Sequence, residues 1–229
     1  MKAIILMAGM SSRLRLLTKD KPKSLLRIGN STILERQLDA LISCGVGDIV
    51  LVTGYKGEKV EEFVDDLETE TRIRIVLNED YEITENGYSL LMGLGNTDES
   101  VIILDGDVLF DPSLLKDLIN MKNCLIVDDQ QRATAEDCKV EVSEGYATGI
   151  GKEKQSDLIY TSIAKLDGII LSELRGELSK NHEWYSGPLG RVLQRNPRSV
   201  RVMPTGGRWR FEIDTVAELR EALRCILML

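Results

Sequence analysis

Lys2 to Met7, KAIILM, is a nearly continuous apolar run that stops at the small residues Ala8 and Gly9. A run this short suits a strand buried on both faces of a parallel sheet. The pattern then takes a helical period. Ile33, Leu34, Leu38, Leu41 and Ile42 fall on one face, with Ser31 or Thr32 as the cap, Glu35 as its reciprocal partner in a capping box, and Gly45 at the end. Asp48 to Gly54, DIVLVTG, reads as a second buried strand. Lys56 to Leu67 reads as a charged helix with Val60, Phe63, Val64 and Leu67 inward, and Arg72 to Asn78 alternates like a strand near an edge. Strand and helix in turn predict an α/β fold: a Rossmann-like, doubly wound, mostly parallel central sheet with helices on both faces.

Further along, Tyr88 to Leu94 reads as a short helix opening after Asn86 and Gly87, with N-terminal N–H groups available to a ligand or simply to a cap. VIIL, Val101 to Leu104, is the next buried strand and delivers Asp105, Gly106 and Asp107 at its carboxyl end, where ligands bind in such sheets. Asp111 and Pro112 start a helix running to about Met121. The second half is less regular: CLIVDD, KVEVSEG, ATGIGKE, LIYTSIAKL and RSVRVMP look like strands, and helices are expected near Gly168 to Ser179 and Trp184 to Gln194. Thr215 to Leu227 closes as an amphipathic helix on Val216, Leu219, Leu223, Ile226 and Leu227. Without a repeat or linker, residues 1–229 read as a single domain with two halves, 1–122 and 123–229.

At 229 residues such a domain buries roughly 70–75% of its unfolded surface, so it needs neither disulfides nor a structural metal. Cys44, Cys124, Cys138 and Cys225 are scattered without C-x-x-C spacing, which fits thiols of a reducing compartment. The opening apolar run is too short for a secretory segment or a membrane span, so the expected location is the cytoplasm. The formal net charge of −8 argues against nucleic acid as a partner, yet basic residues crowd into Arg13 to Arg27. A basic patch on an acidic protein suits a small polyanion such as a nucleotide; alone, it also fits a solvated loop.

The loop after the first strand sharpens this. Ala8, Gly9, Ser11 and Ser12 turn the chain with little bulk after Leu6, a further candidate for the nucleotide site, so their backbone N–H groups are free to lie against a phosphate, and Arg13 and Lys23 supply charge. The loop fits neither the dinucleotide fingerprint nor the P-loop. MKAIILMAGMSSRLRLLTKDKPKSLL resembles instead the opening of the nucleotidyltransferase superfamily that includes the sugar-1-phosphate nucleotidylyltransferases, roughly A-A-G-x-G-x-R-L-x-P-L-T-x-x-x-P-K-x-L. Gly9, Arg13, Leu14, Leu17, Thr18, Pro22, Lys23 and Leu25 match; Met7, Ser11 and Leu16 depart from it. NEDYEITENGYSLL, LDGDVLF and WRFEIDTVAELREA extend the resemblance toward the small cytidylyltransferases that activate phosphocholine, inositol-1-phosphate or 2-aminoethylphosphonate.

The resemblance implies the nucleotide-diphospho-sugar transferase type of fold, with a nucleotide-binding half (1–122) and an acceptor-binding half (123–229). It also implies transfer of CMP from CTP to a phosphorylated alcohol or a phosphonate, with release of pyrophosphate. In it Arg13 holds the β- and γ-phosphates, Lys23 the α-phosphate and incoming oxygen, and Asp107 is a Mg²⁺ ligand. The second ligand is Glu212 or Asp214, with Asp214 preferred, and Asp105 stands behind them. Asn86, Gly87 and Ser89 become contacts to base and ribose, and Lys152, in IGKE, binds the acceptor phosphate. Alternatives are a sugar-1-phosphate nucleotidylyltransferase using UTP, GTP or dTTP, and a nucleotide-binding regulator without turnover. The nucleophile is already an anion, so His182 is read as surface rather than as a base. Trp184 and Tyr185 are read as packing, or as part of an aromatic wall. The reading leaves room for a homodimer.

Overall fold

The computed structural model describes residues 1–228. The strands are β1 (Lys2–Leu6), β2 (Arg27–Ile28), β3 (Ser31–Thr32), β4 (Asp48–Thr53), β5 (Arg72–Leu77), β6 (Val101–Asp105), β7 (Val108–Phe110), β8 (Cys124–Asp128), β9 (Lys139–Ser143), β10 (Tyr146–Gly151), β11 (Ile159–Leu166), β12 (Arg201–Pro204) and β13 (Arg210–Glu212). The helices are α1 (Arg15–Thr18), α2 (Ile33–Ser43), α3 (Gly57–Asp65), α4 (Asn86–Leu94), α5 (Ser113–Leu118), α6 (Gly168–Leu178), α7 (Ser186–Arg195) and α8 (Val216–Leu227).

The central sheet runs β5-β4-β1-β6-β11-β8-β12-β10-β9. β5, β4, β1 and β6 are parallel; the second half is mixed, because β11 enters antiparallel to both β6 and β8 while β12 runs parallel to β8. The apolar run of β1 divides between two cores, as alternate residues of a strand must. Ile4 and Leu6 pack with Leu90 and Leu94 of α4, Leu174 of α6 and Leu189 of α7. Ala3 and Ile5 pack with Leu38 of α2, Val60 of α3 and Leu115 of α5. Gly93 sets the first contact: a Cβ there would lie 2.8 Å from Ile4 Cγ2 and 2.9 Å from Val52 Cγ2, so only glycine lets α4 lie this close.

Leu6 lies opposite Val52 on one side and Asp105 on the other, so three parallel strands end in line. The chain leaves β1 toward β4 on one side and returns as β6 on the other, which makes this edge a topological switch point. A third core of Leu14, Leu26, Ile28, Ile33, Leu109, Ile213 and Ala222 packs the segment after the first loop beneath α8.

Several boundaries differ from the sequence expectation. Thr32 caps α2 in a full capping box. α4 begins at Asn86, so Asn86 and Gly87 form its first turn rather than precede it. α5 stops at Leu118 instead of about Met121, and α7 begins at Ser186, leaving Trp184 and Tyr185 outside it. On α8, Leu219, Leu223 and Ile226 pack as expected, but Val216 and Leu227 are exposed and the buried residue is Ala222. No helix of the described residues is long and apolar enough to cross a membrane.

Candidate active site

The loop leaving β1 is held from one side. Met7 N–H donates to Val52 O (2.9 Å) and Tyr55 N–H to Ala8 O (3.0 Å). Ser11 turns the chain in the left-handed region, φ +51°, where a residue with a side chain costs about 1–2 kcal/mol. Its carbonyl accepts from Leu14 N–H at 2.9 Å, which starts the turn that aims Arg13. Leu6, Ala8, Gly9, Ser11, Ser12 and Arg13 together line a cavity of about 410 Å³, facing Lys23, Asn86, Ser89, Asp105, Asp107 and Asp214.

Charge in the cavity centres on Lys23, whose side chain is 12% exposed. Its Nζ donates to Asp107 Oδ2 at 2.6 Å and to Asp214 Oδ1 at 2.8 Å, while Arg13 donates to Asp214 Oδ2 at 2.7 Å. Burial alone would lower the pKa of Lys23; the carboxylates of Asp107 and Asp214 outweigh it and hold the ammonium above its ordinary value. Burial, and then the charge of Asp107, pushes the carboxyl of Glu212 up to about 7, against the pull of Arg210, which donates to it at 2.8 Å. The same two causes raise Asp105 well above the usual carboxylate range, while a hydrogen bond from Ser162 works the other way.

Asp107 and Asp214 meet because of a pairing that the hydrophobic pattern does not announce. β13 lies antiparallel on β7, with Glu212 opposite Val108, and Ile213 N–H donates to Asp107 O at 3.0 Å. The turn carrying Asp105 to Asp107 is braced from α2, where buried Gln37 donates through Nε2 to both Asp105 O and Val108 O at 2.8 Å. Gly106 completes it: a Cβ there would lie 2.6 Å from Met7 Cβ.

Whether these residues suit a divalent cation follows from their own chemistry. Among the described residues no three carboxylates, histidines or cysteines converge as a metal cluster, but Asp107 and Asp214 bring two carboxylates together, and Mg²⁺, a hard ion, typically takes one or two carboxylates from protein with phosphate oxygens and water. Asp107 Oδ1 is buried with no hydrogen-bond partner, and one cation, the Lys23 ammonium, already spans Asp107 and Asp214. The set fits.

Toward the second half the cavity opens into a larger cleft of about 980 Å³, which Arg13, Asn86, Asp105, Asp107 and Asp214 also line. Lys152 sits on its rim, exposed and paired with Glu136 at 3.5 Å. Gly87 lines neither cavity: a Cβ there would lie 2.1 Å from Glu183 O, so its missing side chain serves the packing of α4 on the 183–185 segment. Ser89 is buried beneath Asn78, from whose Nδ2 its Oγ accepts at 3.0 Å. The aromatic pair divides. Tyr185 is 2% exposed and bonded to the Tyr160 hydroxyl at 3.0 Å, whereas Trp184 is 58% exposed and lines both cavities rather than packing in the core. His182 is exposed, stacks on Tyr88 with ring centroids 4.4 Å apart, and lines neither.

Sequence reasoning missed Gln37, Tyr160, Ser162 and Arg210. Gln37 had a signal, a polar residue set within the apolar stripe of α2. Ser162 had none: it occupies a bulge in β11 at φ +60°, which re-aims the strand toward Asp105.

Residues 3–138 match the MobA-like NTP transferase domain. The chain belongs to that family. It is 34% identical over 118 residues to the choline-phosphate cytidylyltransferase of Streptococcus pneumoniae, covering 52% of this chain and 50% of that one. It is 34% identical over 114 residues to the mannose-1-phosphate guanyltransferase of Hypocrea jecorina, covering 48% and 31%. It thus spans half or less of the length of these curated relatives. Among solved structures, the inositol-1-phosphate CTP transferase from T. maritima superposes with a TM-score of 0.80 at 25% identity, over 98% of this chain and 95% of that one.

Proposed function

We propose that this protein is a Mg²⁺-dependent cytidylyltransferase of the cytoplasm, transferring CMP from CTP to a phosphorylated alcohol or a phosphonate and releasing pyrophosphate. One observation carries the reading: the cations Lys23 and Arg13 face Asp107 and Asp214 at the aligned carboxyl ends of β1 and β6. That is the chemistry of an α-phosphate transfer site, where the chain's task is positioning and charge stabilisation. The relatives support the base: the choline-phosphate enzyme is a cytidylyltransferase, and the T. maritima protein, matched over nearly the whole chain, is a CTP transferase.

In this reading residues 1–122 bind the nucleotide and 123–229 the acceptor. The loop from Ala8 to Ser12 turns its N–H groups to the triphosphate, and Arg13 draws the β- and γ-phosphates toward the leaving side. Lys23 holds the α-phosphate and the incoming oxygen together. An acceptor phosphate or phosphonate oxygen attacks the α-phosphorus, and the bond to the β-phosphate oxygen breaks. The attacking oxygen is already anionic, so no side chain need remove a proton. Asp107 with Asp214, or with Glu212 in its place, would hold Mg²⁺, which when bound neutralises phosphate charge. Lys152 guides the acceptor at the rim. Free Cys44, Cys124, Cys138 and Cys225 accord with a reducing compartment.

A second reading, sugar-1-phosphate nucleotidylyl transfer, rests on the identity to the mannose-1-phosphate guanyltransferase. Pyrophosphate release measured with CTP, UTP, GTP and dTTP against phosphocholine, 2-aminoethylphosphonate, inositol-1-phosphate and several sugar phosphates separates the two. CTP with an alcohol phosphate or phosphonate is the expected pair. Turnover with sugar phosphates only would overturn the choice, and nucleotide binding without pyrophosphate release would mean a regulator.

A further inference from the structure

Asp107 and Asp214 are both held in place through their backbones. Gly106 N–H donates to Leu6 O at 2.7 Å and Ile213 N–H to Asp107 O at 3.0 Å, while Asp214 N–H donates to Glu218 Oε2 at 2.8 Å. Gln37 braces the 105–108 turn from α2. Two carboxylates fixed this close repel each other, and both are partly buried, where water screens them less. The pair therefore needs a cation whether or not a substrate is present.

Lys23 is that cation. Its Nζ reaches both carboxylates, and among the described residues no other cation does, since Arg13 pairs with Asp214 alone. The backbone of Lys23 is fixed: it opens a single 3-10 turn, Lys23–Leu25, and its carbonyl accepts from Leu26 N–H at 2.9 Å. The ammonium sits on a flexible aliphatic stem, so the head can leave while the turn stays.

Charge decides what can replace it. Lys23 and Arg13 balance Asp107 and Asp214, and Glu212 is answered by Arg210. A divalent ion entering alone would push a buried ammonium off both of its partners and add positive charge beside it, and stranding a buried charge is strongly destabilising. A triphosphate arriving with the ion removes the conflict. Its oxygens give Lys23 and Arg13 new anionic partners in the cavity that all four side chains line.

We propose that the Lys23 ammonium occupies the divalent-cation position of the free protein and yields it only to an ion that arrives with a nucleoside triphosphate. This rests on the Mg²⁺-dependent transfer reading and deepens it: Lys23 makes metal binding conditional on nucleotide, in addition to holding phosphate during the reaction.

Mn²⁺ binding without nucleotide tests it, read from the paramagnetic resonance signal of the free ion. The parent is expected to bind weakly. Lys23→Met keeps the stem and removes the charge, and is expected to bind about 5–150-fold more tightly, the usual span of a coupling between two sites. Adding Asp107→Asn to Lys23→Met should remove the gain. An unchanged Mn²⁺ affinity in Lys23→Met, beside a parent that releases pyrophosphate from CTP only with Mg²⁺, would overturn the inference and leave the reading standing. A parent whose pyrophosphate release persists in EDTA, or is absent with every nucleotide, overturns the reading and the inference with it. If Lys23→Met does not fold, the parent decides: weak Mn²⁺ binding that Asp107→Asn leaves unchanged supports the inference, and tight binding that Asp107→Asn abolishes overturns it.

Discussion

Ile213 donates its amide hydrogen to the carbonyl of Asp107 at 3.0 Å, and this contact joins residues 106 positions apart in sequence. It fixes the β7–β13 ribbon beside the end of β6, so the carboxylates of Asp107 and Asp214 reach one ammonium. The acidic centre therefore exists only in the folded chain.

From this follows an order of effects at the carboxylates. Asp107→Asn and Asp214→Asn should each lower kcat by about 10²–10³, the usual worth of a preorganised charge, and raise the Mg²⁺ concentration needed for half-maximal rate. Glu212→Gln should do less, because Glu212 already shares its charge with Arg210 and lies off the Lys23 bridge. Steady-state rates across a Mg²⁺ titration check this; a larger loss in Glu212→Gln than in Asp214→Asn would make Glu212 the second ligand.

Lys23→Ala should lower kcat by about 10²–10³ while CTP affinity changes far less, since in the proposed reaction its charge is aimed at the reacting phosphorus. Calorimetric CTP titration beside the rate measurement is the check. A near-parent rate in a folded variant would remove Lys23 from the chemistry.

Gln37 supports the site without touching it. Gln37→Met keeps the length but withdraws both hydrogen bonds from the carbonyls of Asp105 and Val108. The variant should lose about 1–3 kcal/mol of stability in urea unfolding and some activity. Unchanged stability would mean that the 105–108 turn needs no brace.

Glu177 supplies a pH dependence away from the site. Hydrogen bonds from Lys180 and Arg191 hold its carboxyl down to about 2, below the ordinary 4.5. A depressed folded pKa contributes stability that is fully present above the unfolded value and is lost as pH falls through the folded one. The window runs from about 4.5 down to about 2. Melting temperature should fall over that range more steeply in the parent than in Glu177→Gln; equal slopes would remove Glu177 from the acid response.

Much of this fold is legible in the chain because buried parallel strands and amphipathic helices write periods into sequence. KAIILM, DIVLVTG and VIIL, and the capping box at Thr32 and Glu35, each specify a local structure by local means. β7 and β13 are three residues each, too short for a period, and pair across a hundred residues, so nothing local marks them. The reach of Lys23 to Asp214 depends on that pairing and was open only to a family resemblance. Gly87 illustrates the converse: a glycine beside a ligand loop resembles a contact residue, but the space it leaves is filled by the backbone at Glu183.

The central claim is that a new phosphorus–oxygen–phosphorus link forms between CMP and an acceptor. Phosphorus NMR of the protein with CTP, Mg²⁺ and each acceptor tests it most directly. The account predicts loss of the CTP resonances, appearance of free pyrophosphate, and a coupled pair of signals from a CDP-linked alcohol or a CMP-linked phosphonate. CTP left intact with every alcohol phosphate and phosphonate, while a sugar phosphate and another nucleoside triphosphate are consumed, would contradict it.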